Sequence, residues 1–311
     1  KDWVKDLIVY QVYPRSFQDS NGDGIGDIPG ILSRLDHLSA LGINALWLSP
    51  VFRSPNDDNG YDISNYRAIN PRFGTMEDFD ALLAEAHQRG IRIVMDLVVN
   101  HTSDEHPWFI ESRKSVDNPY RDYYIWKPGK DGHEPNNWGA SFGGSAWKYD
   151  PQTGLYYLHL FSPKQPDLNW ENPAVREEMA DILRFWKAKG IKGFRFDVIN
   201  VISKPEFYED DYEGDGRRFY TDGRNVHKYL KELVAAGGID GMITVGEMSS
   251  TTLENCIGYT AEGNHELTMC FNFHHLKVDY KDGQKWELME PDYLAMKKLF
   301  RTWQEGMQAH G

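Results

Sequence analysis

Short apolar runs alternate with longer segments of helical periodicity along this chain of 311 residues. Each of six runs of strand length is followed by a segment whose apolar positions recur every three to four residues. Repeated strand–helix units with short links predict a parallel sheet covered by helices. The predicted strands are residues 7–13, 43–48, 91–98, 191–197, 242–245 and 267–271, and the predicted helices are 28–41, 75–89, 173–189, 225–236, 250–259 and 291–307.

The long segment between the third strand and the next helix does not follow this alternation. Residues 101–172 are rich in Pro, Gly, Asn and aromatic side chains. A structureless loop of that length is uncommon inside a compact domain. We therefore predict a small insertion subdomain at 101–172, with residues 1–100 and 173–311 forming the catalytic domain.

Six strand–helix units fit either a doubly wound sheet or a barrel. Polar residues cluster where the apolar runs end, and this favours the barrel, because (β/α)8 barrels build their active sites at the carboxyl ends of the strands. The predicted fold is therefore α/β, a (β/α)8 TIM barrel with an insertion after strand three. We expect this sequence to cover about six units and to stop before strand seven. The strand-end residues are Asp96, Asn100, His101, Asp197 and Glu247.

The fourth predicted strand ends on Asp197, with Arg195 two residues before it. The period-2 alternation of a strand places both side chains on one face. A guanidinium beside a carboxylate keeps the carboxylate ionised near neutral pH, as a nucleophile requires. A buried structural ion pair explains the two residues equally well, so this strand alone leaves both interpretations open.

Glu247 ends the next apolar strand as Asp197 ends its own. Adjacent barrel strands would bring the two acids together at one rim. Retaining glycoside hydrolysis needs such a pair, about 5–5.5 Å apart: one carboxylate attacks the anomeric carbon and one carboxylic acid protonates the leaving oxygen. We expect the nearby carboxylate to raise the pKa of Glu247, as acid catalysis requires.

Composition and charge limit the kinds of molecule that this protein is expected to bind. The net charge of −13 and the isoelectric point near 5.3 argue against nucleic acid or an anionic membrane. Aromatic residues make up 14% of the chain, which suits stacking on sugar rings as well as core packing. The two cysteines, Cys256 and Cys270, do not have the number or spacing of a disulfide framework or a zinc site. No window approaches the 18 consecutive apolar residues of a membrane span, and residues 1–13 lack the layout of a signal peptide. We expect a cytoplasmic monomer that acts on a small molecule.

Four segments resemble signature blocks of the α-amylase-type glycoside hydrolases (family 13). They are DLVVNH at 96–101, QPDLN at 165–169, GFRFD at 193–197 and VGE at 245–247. The resemblance implies that Asp197 is the nucleophile and Glu247 the general acid/base. The family's further His-Asp block, after strand seven, is absent from these 311 residues, which implies that this stretch alone is inactive.

The resemblance also implies a sugar-binding pocket. Tyr61 would stack on the ring, and Asp96 and Asn100 would support the site rather than touch substrate. The other residues implied to bind substrate are Asp62, His101, Arg195, Phe142, Phe161 and Gln165.

Within the family the chain resembles the oligo-1,6-glucosidase-like group, in which Val follows the nucleophile, as Val198 does here. Segments 215–223, 246–251 and 271–280 resemble those of trehalose-6-phosphate hydrolases, which split a phosphorylated disaccharide. A phosphorylated substrate entering a chain of charge −13 needs local cations. Lys277 and Lys285 are the predicted phosphate ligands, and His275, Arg217 and Arg218 are further candidates; ordinary surface cations remain the alternative for each.

Two other functions remain open. One is an oligo-1,6-glucosidase or dextran glucosidase that acts on isomalto-oligosaccharides. The other is a non-catalytic amylase-like protein, which the presence of Asp197, Glu247, Arg195 and His101 argues against.

A separate loop, DSNGDGIGD at 19–27, places oxygen-bearing side chains at alternate positions between glycines. This spacing resembles a calcium loop. The implied ligands of a structural Ca²⁺ are Asp19, Asn21, Asp23, the Ile25 carbonyl and Asp27. A turn with Asp27 as a helix cap is the alternative, and the two are compatible.

Overall fold

A computed structural model describes residues 2–310, and their main feature is a six-stranded parallel sheet with helices on its outer side. The strands are β1 (Val9–Val12), β2 (Ala45–Leu48), β3 (Phe52–Arg53), β4 (Asn65–Ile69), β5 (Arg92–Val98), β6 (Trp126–Lys127), β7 (Trp147–Asp150), β8 (Leu155–Leu158), β9 (Gly193–Asp197), β10 (Ile243–Glu247) and β11 (Met269–Phe271). The α-helices are α1 (Pro14–Phe17), α2 (Ile28–Ser33), α3 (Leu35–Ala40), α4 (Met76–Gln88), α5 (Pro107–Ser112), α6 (Pro173–Lys189), α7 (Arg217–Tyr220), α8 (Val226–Gly237), α9 (Leu253–Thr260) and α10 (Tyr293–His310).

The strand order of the large sheet is β1-β2-β5-β9-β10-β11, and every neighbouring pair is parallel. In a doubly wound sheet the order of the strands reverses at a switch point, whereas in this sheet each strand lies beside the one that precedes it in the chain. The sheet is therefore part of a barrel, as the sequence predicted, and all its strands end at one rim.

Alternation along β9 separates the core from the site. Phe194 and Phe196 are fully buried in the main hydrophobic core, together with the apolar face of α6 and α8. Arg195 and Asp197 alternate with them and point to the other face of the sheet. The strand thus anchors itself in the core and presents its charged pair to the barrel interior.

Capping residues in the sequence determine where several of the helices begin and end. Thr75 and Asp78 form a capping box at the start of α4, and Gly190, with φ 112°, ends α6 in the left-handed conformation. The predicted single helix at 28–41 was wrong, because the helix breaks at Arg34. The Ser33 hydroxyl donates to the Gly30 carbonyl at 2.6 Å and competes for that helical acceptor.

The insertion contains the antiparallel sheet β6-β8-β7. Trp138 and Trp147 lie in its core, and Trp138 also stacks on Phe219 with ring centroids 5.9 Å apart. The subdomain therefore packs against the segment that follows β9. Within residues 2–310, no helix has the length and apolar character needed to cross a bilayer.

Buried His106 gives a testable pH dependence. Its Nδ1 accepts from the Trp108 backbone N–H at 3.1 Å at the start of α5, and burial lowers the pKa of His106 to about 3. The unfolded state binds a proton below pH 6.5 that the folded state does not, so His106 lowers stability progressively from pH 6.5 towards 3. His106→Asn keeps a capping oxygen without a titrating group. We expect the difference in free energy of unfolding between His106→Asn and the parent to grow in favour of the variant by about 1.4 kcal/mol for each pH unit below 6.5. A difference that stays constant between pH 7 and 5 would contradict this.

Candidate active site

The rim of the barrel brings Asp197 and Glu247 together at the ends of the adjacent strands β9 and β10. Arg195 bridges them. Its Nη1 donates to Asp197 Oδ1 at 2.9 Å, and its Nη2 donates to Glu247 Oε2. One guanidinium therefore holds both carboxylates that the sequence predicted to form a catalytic pair.

Asp96, on the neighbouring strand β5, holds the bridging Arg195 in place. Its Oδ1 accepts from Arg195 Nη1 at 2.8 Å, and its Oδ2 accepts from Trp47 Nε1 and the Tyr61 hydroxyl, each at 3.0 Å. Burial raises the pKa of Asp96 to about 6, against the opposing effect of Arg195. Asp96 thus orients Arg195 and lies beneath the carboxylate pair, in a supporting position.

The electrostatics of Asp197 differ from the prediction. Burial and the neighbouring Glu247 carboxylate raise the pKa of Asp197 well above its usual value, although Arg195 opposes the shift. The expectation that Arg195 would dominate was therefore wrong, because removal from water and a second carboxylate outweigh a guanidinium that both acids share. Asp197 therefore binds its proton more tightly than an exposed carboxyl group does.

His101 rests on a buried charge network that the sequence analysis missed. Lys204 Nζ donates to Asn100 Oδ1 at 2.6 Å and pairs with Asp167 Oδ2 at 2.8 Å. Asn100 Nδ2 lies 2.9 Å from the same Asp167 oxygen and 3.1 Å from His101 Nδ1. Burial lowers the pKa of His101 to about 4, so the ring is neutral at pH 7. Both ring nitrogens face amide NH₂ groups, since His101 Nε2 lies 3.4 Å from Gln165 Nε2.

Lys204 ends the apolar run that follows Asp197, and this was the only sequence signal for it. A lysine after an apolar run is ordinarily solvated. Here the side chain is 4% exposed and its carboxylate partner is fully buried. The partners come from segments that are far apart in the sequence.

Three of the remaining predicted sugar-binding residues, Gln165, Phe161 and Phe142, lie close to His101 or to one another. Gln165 Nε2 donates to Asp58 Oδ2 at 2.9 Å, and Phe161 packs on the His101 ring at 5.2 Å. Phe142 contacts Phe161 edge-on and is 62% exposed.

Asp62 has a different environment from the one predicted. It is fully buried, and its carboxylate accepts hydrogen bonds from the Ser54 hydroxyl and the backbone N–H groups of Asp57 and Asp58, at 2.8–3.1 Å. Asp62 therefore shapes the 54–58 loop in this structure. Its role in binding sugar stays a prediction, and it would require a substrate hydroxyl to replace one of these donors.

Comparison with known proteins agrees with this arrangement. Residues 11–311 match the family model described as alpha-amylase, catalytic domain. The chain belongs to the α-amylase family. It is 56% identical over 318 residues to an oligo-1,6-glucosidase of Bacillus cereus, covering 100% of this chain and 57% of that protein. It is 54% identical over 312 residues to a trehalose-6-phosphate hydrolase of Bacillus subtilis, covering 99% and 55%.

The crystal structure of Bacillus licheniformis trehalose-6-phosphate hydrolase superposes with a TM-score of 0.96 at 54% identity, covering 98% of this chain and 55% of that one. This α-amylase-family chain thus spans a little over half the length of the relatives it matches. Both oligo-1,6-glucosidases and trehalose-6-phosphate hydrolases are among these relatives, at similar identities.

The candidate phosphate ligands of this family member divide into two groups. Arg217 pairs with Asp215 at 3.0 Å, and Arg218 pairs with Asp211 at 3.1 Å. Lys277 and Lys285 are exposed and form no ion pair within residues 2–310. Lys277 lies with His275 in the 3₁₀ turn His274–Lys277 after β11, and Lys285 Nζ lies 4.9 Å from the Trp286 ring centre. Of the four Lys and Arg candidates, the two lysines are therefore the ones without an ion pair in the described part of the chain.

The predicted calcium loop forms a series of turns in which side-chain oxygens accept from nearby backbone N–H groups. Asp19 accepts from Gly22 and Gly24, each at 2.8 Å, and the bond from Gly24 is the main cause that lowers the pKa of Asp19. Asp27 Oδ1 accepts from the Gly30 N–H at 2.7 Å, so Asp27 is also the predicted cap of α2.

The all-oxygen donor set, with an ionised Asp19, fits Ca²⁺ chemically. In the part of the chain that the structure describes, however, no three acidic, His or Cys side chains are gathered closely enough to hold a metal ion. Binding would draw the carboxylates of the loop together.

Proposed function

We propose that the complete protein is a retaining α-glucosidase that cleaves trehalose 6-phosphate into glucose and glucose 6-phosphate. The observation that carries the reaction type is the single guanidinium of Arg195, which holds Asp197 and Glu247 together at neighbouring strand ends. Retaining glycosidases need two carboxyl groups beside the scissile bond, and the shared guanidinium brings these two acids together.

In this mechanism, Asp197 attacks the anomeric carbon and forms a β-glucosyl ester as the glycosidic bond breaks. Glu247 gives its proton to the departing oxygen. Glu247 then takes a proton from water, which attacks the anomeric carbon and releases Asp197. The attack requires the ionised form of Asp197, which the hydrogen bond from Arg195 Nη1 favours. His101, which is neutral at pH 7, would form a hydrogen bond with a sugar hydroxyl.

The preference for a phosphorylated sugar rests on the unpaired lysines after β11. We expect Lys277→Ala to lower kcat/KM for trehalose 6-phosphate roughly 10- to 100-fold, the effect of losing one charge-assisted hydrogen bond. Activity on isomaltose should change less than about 2-fold, because isomaltose has no phosphate.

Lys228→Ala is the matched control, since it removes one exposed positive charge from α8. It should leave both activities unchanged. If Lys277→Ala and Lys285→Ala each leave the ratio of the two kcat/KM values at the parent value, neither lysine selects the phosphate.

An oligo-1,6-glucosidase is the second candidate, and the 56% identity to the Bacillus cereus oligo-1,6-glucosidase supports it. Val198 does not separate the two functions, since it marks the group within which both resemblances lie. This residue follows Asp197 and has a φ of 38°, a left-handed conformation that is costly for a β-branched side chain. The fold thus holds a specific side chain beside the nucleophile. The parent protein's kcat/KM values for trehalose 6-phosphate and isomaltose separate the two functions; a higher value for isomaltose would support the second.

We also propose that loop 19–27 binds a structural Ca²⁺ through Asp19, Asn21, Asp23, the Ile25 carbonyl and Asp27. A ligand that binds only the folded state, at about 100 times its Kd, adds about 2.7 kcal/mol of stability. We therefore expect millimolar CaCl₂ to raise the Tm of chelator-treated protein by several degrees, and Asp23→Ala to abolish the rise. An equal rise with Asp23→Ala, or none in the parent, would refute a site in this loop.

A further inference from the structure

Asn200 lies three residues after the nucleophile and is fully buried. Its side-chain amide makes two hydrogen bonds with the backbone of one residue, Ser249. Asn200 Nδ2 donates to the Ser249 carbonyl at 2.8 Å, and Asn200 Oδ1 accepts from the Ser249 N–H at 2.9 Å. Because Ser249 lies two residues after Glu247, this amide joins the segments that follow the two catalytic acids.

The other side of Asn200 is also held. Asn200 Nδ2 donates to Asp222 Oδ1 at 3.2 Å, and the Asn200 carbonyl accepts from the Asp222 N–H at 2.8 Å. Asp222 is in turn held by the Tyr259 hydroxyl at 2.5 Å and by Asn255 Nδ2 at 2.9 Å. A flipped amide would set its NH₂ against the Ser249 N–H and its oxygen against Asp222, so only one orientation satisfies these partners.

The backbone alone does not align the two acids. The ladder between β9 and β10 runs from the Gly193–Ile243 pair to the Phe196–Gly246 pair, so it ends one residue before each carboxylate. Beyond that point the Asn200 amide contributes a donor and an acceptor to Ser249, as a neighbouring strand would. It extends the pairing of the two segments past Asp197 and Glu247.

We propose that Asn200 is a positioning residue that sets the separation and orientation of Glu247 relative to Asp197 through the backbone of Ser249. The proposal rests on the proposed glycosidase function. A misplacement of about 1 Å can cost about 100-fold in rate, and retaining catalysis requires a narrow carboxyl separation. Asp197 ends β9 only three residues before Asn200, whereas the segment that follows Glu247 is tied to Asn200 across the barrel rim. Loss of the clamp should therefore harm proton donation by Glu247 most.

The test compares two leaving groups in the complete protein. A sugar alkoxide needs the proton from Glu247, whereas a nitrophenolate departs with little help. Because hydrolysis of the glucosyl enzyme is common to both substrates, the comparison uses kcat/KM, which reports only the first step. We expect Asn200→Ala to lower kcat/KM on isomaltose or trehalose 6-phosphate about 100-fold and kcat/KM on p-nitrophenyl α-glucoside less than about 5-fold. Asn200→Asp, which keeps only the bond from the Ser249 N–H, should show the same difference between substrates if Asn200→Ala folds poorly.

Asn255→Ala is the matched control, because it removes a bond to Asp222 from an exposed side chain and leaves the Ser249 contacts intact. It should leave both rates near the parent values. Equal losses on the two kinds of substrate in Asn200→Ala would show a general structural role and overturn the proposal. No loss on either would also overturn it.

A second measurement separates this proposal from the proposed function. Crystal structures of the parent and Asn200→Ala should show the Glu247 carboxyl displaced relative to Asp197 by about 0.5 Å or more. This comparison holds even if the parent hydrolyses no α-glucoside, which would refute the proposed function alone. An unchanged carboxyl separation would overturn the positioning role.

Discussion

Asp197→Asn should lower kcat on every α-glucoside roughly 10⁴-fold or more, because it removes the atom that forms the covalent bond to the sugar. Asn is nearly the same size and still offers an oxygen to Arg195 Nη1, which donates to Asp197 at 2.9 Å in the parent. The substitution also removes the repulsion from Glu247. We therefore expect the loss of activity without a loss of stability, measured by steady-state kinetics and by urea unfolding of the same preparation.

Glu247→Gln is the companion variant. Its kcat/KM should fall strongly on isomaltose and less on p-nitrophenyl α-glucoside, since an activated leaving group needs less protonation in the first step. Asp197→Asn should be equally poor on both. Near-parental activity of Asp197→Asn on either substrate would rule out Asp197 as the nucleophile.

Lys204→Met should lower the free energy of unfolding by about 3–5 kcal/mol, the usual cost of leaving one member of a buried ion pair alone. Its partner Asp167 is fully buried and lies 2.8 Å from Lys204 Nζ. Asn100 would lose the same donor, so the support of His101 would loosen as well. Urea unfolding at pH 7 measures the loss.

Two further variants make this expectation specific. Lys114→Met breaks the exposed pair with Glu111 and should cost less than about 1 kcal/mol. The double variant Lys204→Met/Asp167→Asn should be more stable than the sum of its two single changes predicts, because it leaves no unpaired charge. If Lys204→Met costs no more than Lys114→Met, the buried pair does not stabilise the fold.

The sequence predicted those parts of the fold that depend on local signals. The helix at 173–189 was predicted at its observed bounds because Asn172, Pro173 and Gly190 are strong end signals. The six strands of the large sheet were all found, with ends shifted by up to two residues. The antiparallel pair β3–β4 was missed, since its two-residue strand leaves almost no periodic pattern.

Of the site, the sequence could predict only the residues whose location follows from their position on a strand. Strand ends placed Asp197 and Glu247 at one rim, but Asp222 and Ser249, which hold Asn200, and Asn100, which binds Lys204, are 22 to 104 residues away from them in the sequence. Such contacts exist only after the sheet has formed. The same reason explains the wrong expectation for the pKa of Asp197, because burial and the approach of Glu247 are tertiary effects.

The central claim is that Asp197 becomes covalently attached to glucose, and one measurement tests it directly. The complete protein is incubated with a glucosyl fluoride whose ring carries a second fluorine, so that the intermediate accumulates, and is then digested for peptide mass analysis. We predict a glucosyl adduct on the peptide that contains residues 193–198, located at Asp197 and absent from Asp197→Asn. An adduct on another residue, or turnover without an adduct and with inversion at the anomeric carbon, would contradict the mechanism.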